Sequence, residues 1–361
     1  MSGASVESDE QFSGTKSIEA QHRFDEQKLF EYLSEHLPGF KGPLRVSQFK
    51  GGQSCPTYQL DAGSGRYVLR RKPPGKLLSS AHAVDREYKV ISALSEAGFP
   101  VPRTYLLCED ESVVGTIFYV MDFIDGRVFW DPTMPELNKA ERDAAYDSMN
   151  ATMAALHSFD GQTIGLGDFG RPGNYFARQI GRWSKQYVAS ATQTIDHMDR
   201  LMEWLPANNP ADETNQLVHG DYSLHNLLFH PREPKVVAVL DWEISTLGHP
   251  LGDLSYNTLL WYAPRFEGGM ATFGGMDTES LGIPSLTRYL AAYRERTGID
   301  AGEHFGFYKA YTMFRLACIY QGILGRVRDG TAANPHASEL AERIRPLASA
   351  AYAQAQILGA H

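Results

Sequence analysis

Apolar residues change their spacing several times along the chain, and each change marks an element. From Asp25 onward, Leu29, Phe30, Tyr32, Leu33 and Leu37 recur at helical intervals, and Pro38-Gly39 ends the run, so an amphipathic helix is predicted over 25–37. Alternating runs predict strands over 44–49, 57–60 and 67–70, with Gly51-Gly52 and Gly63-Ser-Gly65 as the turns between them. A helix over 80–97, stopped by Gly98 and Pro100, leads to strands over 104–108 and 116–121. Beyond 122 the spacing turns mostly helical, over 135–158, 174–205, 251–263, 285–297, 303–327 and 337–357. Between the second and third of these lie three short apolar runs, 217–218, 226–229 and 236–240, which read as strands. Residues 1–22 are rich in Ser, Gly, Gln and Glu, show no such pattern, and are expected to form a disordered tail.

The most concentrated polar chemistry lies around those three runs. His219-Gly-Asp221 follows the first, Asn226 opens the second, and Asp241-Trp-Glu243 closes the third. Two carboxylates and a carboxamide at strand ends around one turn suit gripping Mg2+ and orienting a hydroxyl, because a hard cation takes a few protein oxygens and leaves the rest of its shell to phosphate and water. His219, His225 and His230 stand near one another in sequence, but they straddle a turn and a strand with no cysteine, a spacing that matches no common zinc site.

The pattern His-x-Asp-x-x-x-x-Asn, with Asp241 15 residues after Asn226, resembles the catalytic loop of protein-kinase-like phosphotransferases. In its His-Gly-Asp form it resembles the aminoglycoside phosphotransferase branch, which also holds choline kinase and homoserine kinase relatives. The further run Gly248-His-Pro-Leu-Gly-Asp253-Leu-Ser-Tyr256 resembles a sub-branch that includes the kinase-like domain at the N-terminus of certain acyl-CoA dehydrogenases. The likeness covers roughly residues 26–330. It implies an α+β, two-lobed protein-kinase-like fold, with a small β-rich N-lobe over 23–122 and a large, mainly helical C-lobe over 123–361. It also implies Mg2+/ATP-dependent transfer of a γ-phosphoryl group to a small-molecule hydroxyl. By the same resemblance, Asp221 is the catalytic aspartate, Asn226 and Asp241 are the Mg2+ ligands, Glu243 touches a second metal or a ligand's polar edge, and His219 and Asp253 are structural supports of the loop.

In the N-lobe, Tyr67-Val-Leu-Arg70-Arg-Lys72 takes the place of the kinase strand that carries the phosphate-binding Lys. Val68 and Arg70 share one face of such a strand, and Tyr67 and Leu69 share the other, so Arg70 falls where the Lys would be. Lys72 remains a rival, and Arg71 with Lys72 reads as a solvated strand end before Pro73-Pro74. Glu87 lies in a helical stripe with Val84, Tyr88, Ile91 and Leu94, on an inward face where a carboxylate requires a cation, and Arg70 is its expected partner. The phosphate-covering loop would run over 49–57, offering Ser54 and backbone amides near Gly52, with Cys55 where relatives carry Asn. Backbone groups around Met121 and Phe123 would meet an adenine ring. No Walker-A motif occurs.

Composition narrows the setting. At 361 residues, 43% hydrophobic and 21% charged, the chain is long enough for one large or two medium domains of ordinary globular make-up. A net charge of −9 argues against general binding to nucleic acid. Cys55, Cys108 and Cys318 form neither a disulfide framework nor a metal spacing. No apolar run approaches the roughly 18 residues of a membrane span, and residues 1–21 lack the basic and apolar regions of a signal peptide. A cytoplasmic protein that engages no membrane is expected.

The acceptor is only faintly written. Polycationic aminoglycosides require clustered acids, yet 170–195 holds Arg171, Arg178, Arg182 and Lys185 and no acidic residue. Over 315–345, Arg315, Arg326, Arg328, Arg343 and Arg345 outnumber Asp329, Glu339 and Glu342. Arg178, Arg182 and Trp183 are therefore candidate acceptor-pocket residues, with Tyr175, Trp261 and Tyr262 as apolar walls. The balance suits an anionic acceptor, and the acyl-CoA dehydrogenase resemblance points to a hydroxyacyl-CoA. An aminoglycoside or choline-type kinase stays open, as does a nucleotide-binding pseudokinase. The Gly-poor loop and the Arg in place of Lys favour the pseudokinase; the intact Asp221, Asn226 and Asp241 oppose it.

Overall fold

The computed structural model describes residues 14–50, 55–74, 83–211, 214–266, 272–302, 304–330 and 340–360. The chain divides into two units. The first runs through Trp130 and takes in Ile164–Leu166 and His225–Ser245, and the second holds Asp131–Thr163, Gly167–Leu224 and the chain from Thr246 onward.

The first unit is built on a six-stranded antiparallel sheet of β1 (Thr15–Lys16), β2 (Leu44–Phe49), β3 (Thr57–Ala62), β4 (Gly65–Arg71), β5 (Thr104–Cys108) and β6 (Phe118–Asp122), in the order β1-β2-β3-β4-β6-β5. Helix α1 (Glu26–His36) starts where the Asp25 carboxylate accepts the amides of Gln27 and Lys28, at 3.0 and 3.1 Å. Its Leu29 and Leu33, with Leu37 just beyond, pack on one sheet face against Tyr58, Leu60, Tyr67, Leu69, Phe118 and Val120. Because side chains alternate along β4, burying Tyr67 and Leu69 there delivers Val68 and Arg70 to the opposite face. Helix α2 (Val84–Glu96) follows, and residues 80–82 of its expected first turn lie outside the described residues.

Two sequence expectations need correcting in this unit. The stretch before residue 23 is not structureless throughout: β1 pairs with the end of β2, and the His22 carbonyl accepts hydrogen bonds from the Tyr58 hydroxyl at 3.0 Å and from Arg71 at 2.9 Å. Arg71 is consequently no solvated strand end. It is 2% exposed, lies 5.1 Å from the Phe24 ring, and also donates to the Val114 carbonyl. Its neighbours bury it because they supply the carbonyl acceptors that a guanidinium requires.

The second unit is mostly helical. Helix α3 (Lys139–His157) begins later than the expected residue 135 because Asn138 and Glu141 form a capping box, each accepting the other's amide, at 3.0 and 2.9 Å. The single helix expected over 174–205 is two, α4 (Tyr175–Ser190) and α5 (Asp196–Ala207), interrupted at 191–195 where β-branched Thr192, Thr194 and Ile195 disfavour helix. Then come α6 (Pro250–Asn257), a helical turn at Leu259–Tyr262, α7 (Leu286–Thr297), α8 (Phe305–Arg328) and α9 (Ala341–Ile357). Helix α8 is apolar on nearly every side and buried along most of its length, packed against α4, α6 and α9.

The three short apolar runs do not frame one turn. Gln216–Val218 pairs with Thr246–Gly248, a strand the alternation did not reveal, within the second unit. Leu227–Phe229 pairs with Val236–Val239 within the first. Arg127 and Phe229 exchange two backbone hydrogen bonds at 2.9 Å, and a Cβ on Gly126 would sit 2.4 Å from Leu228, so a side chain there would block this approach. No helix among the described residues is long and apolar enough to cross a membrane.

Candidate active site

Strand β4 and helix α2 place the first group of polar side chains. Arg70 is 8% exposed, with Nε 2.7 Å from one Glu87 oxygen and Nη2 donating to Asp241 at 2.8 Å. Glu243 lies 3.9 Å from the same Nη2. Burial works against the charge on Arg70, but Glu87, Tyr119 and Asp241 outweigh it and hold the guanidinium protonated well above its ordinary range. The second Glu87 oxygen accepts the Trp242 amide at 3.2 Å, so one buried carboxylate ties the strand's cation to the Asp241-Trp-Glu243 turn. Lys72, the rival for the phosphate role, stands at the strand's end, where its amide bonds the Ile117 carbonyl at 3.0 Å and its carbonyl accepts the Thr116 hydroxyl at 2.8 Å.

Asp241 holds a left-handed backbone, φ +66°, which Asp tolerates better than most residues. The Leu240 amide donates to the Asn226 carbonyl at 2.8 Å, continuing the Leu227–Val239 register, so Asn226 and Asp241 come to the same end of this hairpin. Both are partly exposed, and both supply the hard oxygen that Mg2+ prefers. Among the described residues, no group of three or more His, Cys, Asp or Glu side chains forms a self-contained metal site. The Asn226 and Asp241 oxygens at one end of this hairpin fit a hard cation that takes few protein ligands.

Met121 is buried in β6 opposite Val68. Phe123 follows, half-buried, its ring 4.2 Å from the Arg66 guanidinium and near-parallel to Phe49 at 6.4 Å. Gly52 and Ser54 lie outside the described residues. Cys55 is buried, and burial pushes its thiol up to about 12.

In the second unit, Asp253 at 1% exposure accepts the His219 amide at 2.7 Å and the Gly220 amide at 2.8 Å. Burial works to raise its pKa, but the hydrogen bond and charge of His157, with His219 and its amide, bring it below the ordinary carboxylate range. His157 spans Asp253 at 3.2 Å and the Tyr293 hydroxyl at 2.7 Å. His219 is fully buried, and its Nδ1 accepts the Asp221 amide at 3.2 Å. Asp221 itself is half-buried, and burial together with its carboxylate pushes the Tyr256 hydroxyl well above the ordinary range.

Sequence reasoning missed what Arg315 and His157 do. Arg315, grouped above only with basic side chains, is 7% exposed and donates to the Gly220 carbonyl at 2.7 Å. The available signal was an Arg in a helix apolar all round, where a cation requires a buried acceptor. Of the expected acceptor residues, Arg182 is exposed and lies 5.3 Å from the ring of half-buried Trp183, which also faces Arg315 at 5.6 Å. Arg178 turns instead to the loop before α4, donating to the carbonyls of Gly173 and, at 2.7 Å, Arg171. Tyr175 is buried where Gly248 and Gly252 leave room for its ring.

Comparison with solved structures shows the class to which these elements belong. An aminoglycoside phosphotransferase solved with streptomycin and ATP covers 90% of this chain at TM-score 0.57 and 18% identity, and choline kinase from Cryptosporidium parvum covers 91% at 0.59 and 12%. The fold is the two-lobed, kinase-like α+β fold of small-molecule phosphotransferases, a small β-rich lobe and a large helical one.

Within that class, residues 45–299 match the APH phosphotransferase enzyme family, and the chain belongs to it. A crystal structure from Ralstonia eutropha JMP134, provisionally named an aminoglycoside phosphotransferase, is 47% identical, covers 93% of this chain and 99% of its own, and superposes at TM-score 0.85. Acyl-CoA dehydrogenase family member 11 of Rattus norvegicus is 44% identical over 340 residues, and family member 10 of Mus musculus is 42% identical over 325. The match takes in 92% and 89% of this chain but spans only 44% and 30% of those longer proteins.

Proposed function

We propose that the chain transfers the γ-phosphoryl group of Mg2+-ATP to the hydroxyl of an anionic small molecule, with a hydroxyacyl-CoA as the preferred acceptor. The observation that carries this is the buried Arg70–Glu87 pair joined to Asp241, which sets a fixed cation beside a carboxylate suited to Mg2+. In this reading Arg70 binds phosphate oxygens, Glu87 holds it in place, and Asn226 and Asp241 are the Mg2+ ligands. Asn226 and Asp241 would hold Mg2+, which would supply charge neutralisation at the phosphates. Backbone groups around Met121 and Phe123 take the adenine. Asp221 accepts a hydrogen bond from the acceptor hydroxyl and orients it for in-line attack, a role worth roughly 10²–10⁴ in rate. His219 and Asp253 fix the loop from which it acts.

The acceptor class rests on two supports. The relatives named as acyl-CoA dehydrogenases carry this domain in a longer chain, and 170–195 offers Arg182 beside Trp183 without one acidic side chain to hold a polycation. The test incubates the chain with Mg2+-ATP and, separately, 3- and 4-hydroxyacyl-CoAs, choline, homoserine and an aminoglycoside, and follows each acceptor by mass. A phosphorylated acyl-CoA product is expected. Phosphorylated choline or aminoglycoside instead would overturn the acceptor while leaving the phosphotransferase.

A further inference from the structure

We infer that Arg315 and Tyr256 are positioning residues for Asp221, fixing respectively the backbone that carries it and the direction of its carboxylate. The inference rests on the phosphotransferase reading above. The residue between His219 and Asp221 is Arg in the protein-kinase version of the motif and Gly220 here, at φ +83°, a conformation glycine takes freely. Gly220 has no side chain with which to anchor the loop. A guanidinium comes instead from α8, Arg315 donating to the Gly220 carbonyl at 2.7 Å. The amide of the same residue is held by Asp253 at 2.8 Å. Gly220 is thus clamped at its amide by a buried anion and at its carbonyl by a buried cation, and Asp221 is the next residue.

Tyr256 completes the arrangement. The Arg315 guanidinium lies 4.9 Å from the centroid of its ring, within cation–π range, and burial together with the Asp221 carboxylate pushes its hydroxyl well above the ordinary range, so that it stays protonated as a donor for Asp221. A buried cation is costly unless compensated. Arg315 is compensated by the Gly220 carbonyl, by the rings of Tyr256 and Trp183 at 4.9 and 5.6 Å, and by the charge of Asp221. Arg315 therefore reaches Asp221 by two routes, through the Gly220 carbonyl and through the Tyr256 ring. Residues acting this way change how well the hydroxyl is aimed, not how tightly nucleotide is held.

Two variants and two readouts test this. Arg315→Lys keeps the charge and loses the planar fork; Tyr256→Phe keeps the ring and loses the hydroxyl. Deuterium uptake over 217–224 needs no acceptor: Arg315→Lys is expected to raise it several-fold while uptake along α8 and the Mg2+-ATP-induced rise in melting temperature match wild type. With the best acyl-CoA acceptor, Tyr256→Phe is expected to lower kcat by about tenfold or more, with both KM values within about twofold. Unchanged uptake over 217–224, a rise spread throughout the second unit, or a Tyr256→Phe enzyme with wild-type kcat would each overturn the inference. A wild-type chain that released no ADP with any acceptor would instead sink the phosphotransferase reading, and the uptake result would stand apart from it.

Discussion

Glu87 uses both carboxylate oxygens, one 2.7 Å from Arg70 Nε and the other accepting the Trp242 amide at 3.2 Å. Removing one partner of a buried pair leaves the other charge uncompensated, so Glu87→Ala is expected to cost about 3–5 kcal/mol of stability. Glu87→Gln, which keeps an acceptor for the Trp242 amide, is expected to cost less. Urea unfolding of the two variants checks this, and a loss below about 1 kcal/mol for the alanine variant would mean the pair does not anchor the turn.

Arg70 and Lys72 compete for the phosphate role, and their surroundings separate them. Arg70 reaches Glu87 and Asp241 from the face opposite the α1 core, whereas the backbone of Lys72 is engaged at the strand's end by Ile117 and Thr116. Arg70→Lys loses bidentate geometry and is expected to weaken Mg2+-ATP binding by about tenfold, near 1.4 kcal/mol, while Lys72→Ala changes it by less than about twofold. Calorimetric titration decides, and the reverse ranking would transfer the role to Lys72.

Asp241 sits at φ +66°, a conformation Asn shares readily, so Asp241→Asn is expected to fold with a wild-type melting temperature. It removes the charged oxygen proposed for Mg2+. Nucleotide affinity in the variant is expected to lose its dependence on Mg2+ concentration. A variant that keeps the full Mg2+ response would exclude Asp241 as a ligand.

Asp253 carries a pH signature. Its folded pKa lies below the ordinary value, so its contribution to stability is fully present above an unfolded pKa of about 3.9 and is lost as pH falls through the lower folded value. Wild type and Asp253→Asn should differ most above about pH 4 and converge at lower pH. Melting temperatures from pH 7 down to 2 measure this, and a gap that widened on acidification would reverse the sign of the argument.

The sequence reading reached the family because the His219-Gly-Asp221, Asn226 and Asp241 spacing is local, and local patterns survive in a linear chain. The β4 alternation likewise announced that Arg70 would leave the Tyr67–Leu69 face, and the apolar stripe around Glu87 announced its need for a cation. What escaped was set by distant residues. The 246–248 strand is too short to show a period and owes its pairing to Gln216–Val218. Arg71 looked solvated until residues 22–24 folded over it. Arg315 lies 95 residues from the Gly220 carbonyl it holds, and no spacing rule reaches that far.

The central claim is that Asp221 directs phosphoryl transfer from Mg2+-ATP. The direct measurement is ADP release on adding a hydroxyacyl-CoA, with Asp221→Asn beside wild type and the melting-temperature rise with Mg2+-ATP recorded for both. The account predicts acceptor-dependent ADP release that falls by roughly 10²–10⁴ in Asp221→Asn, with the nucleotide-induced rise retained in both proteins. Equal release by the two proteins, or a wild-type chain that neither releases ADP nor responds to Mg2+-ATP, would contradict it.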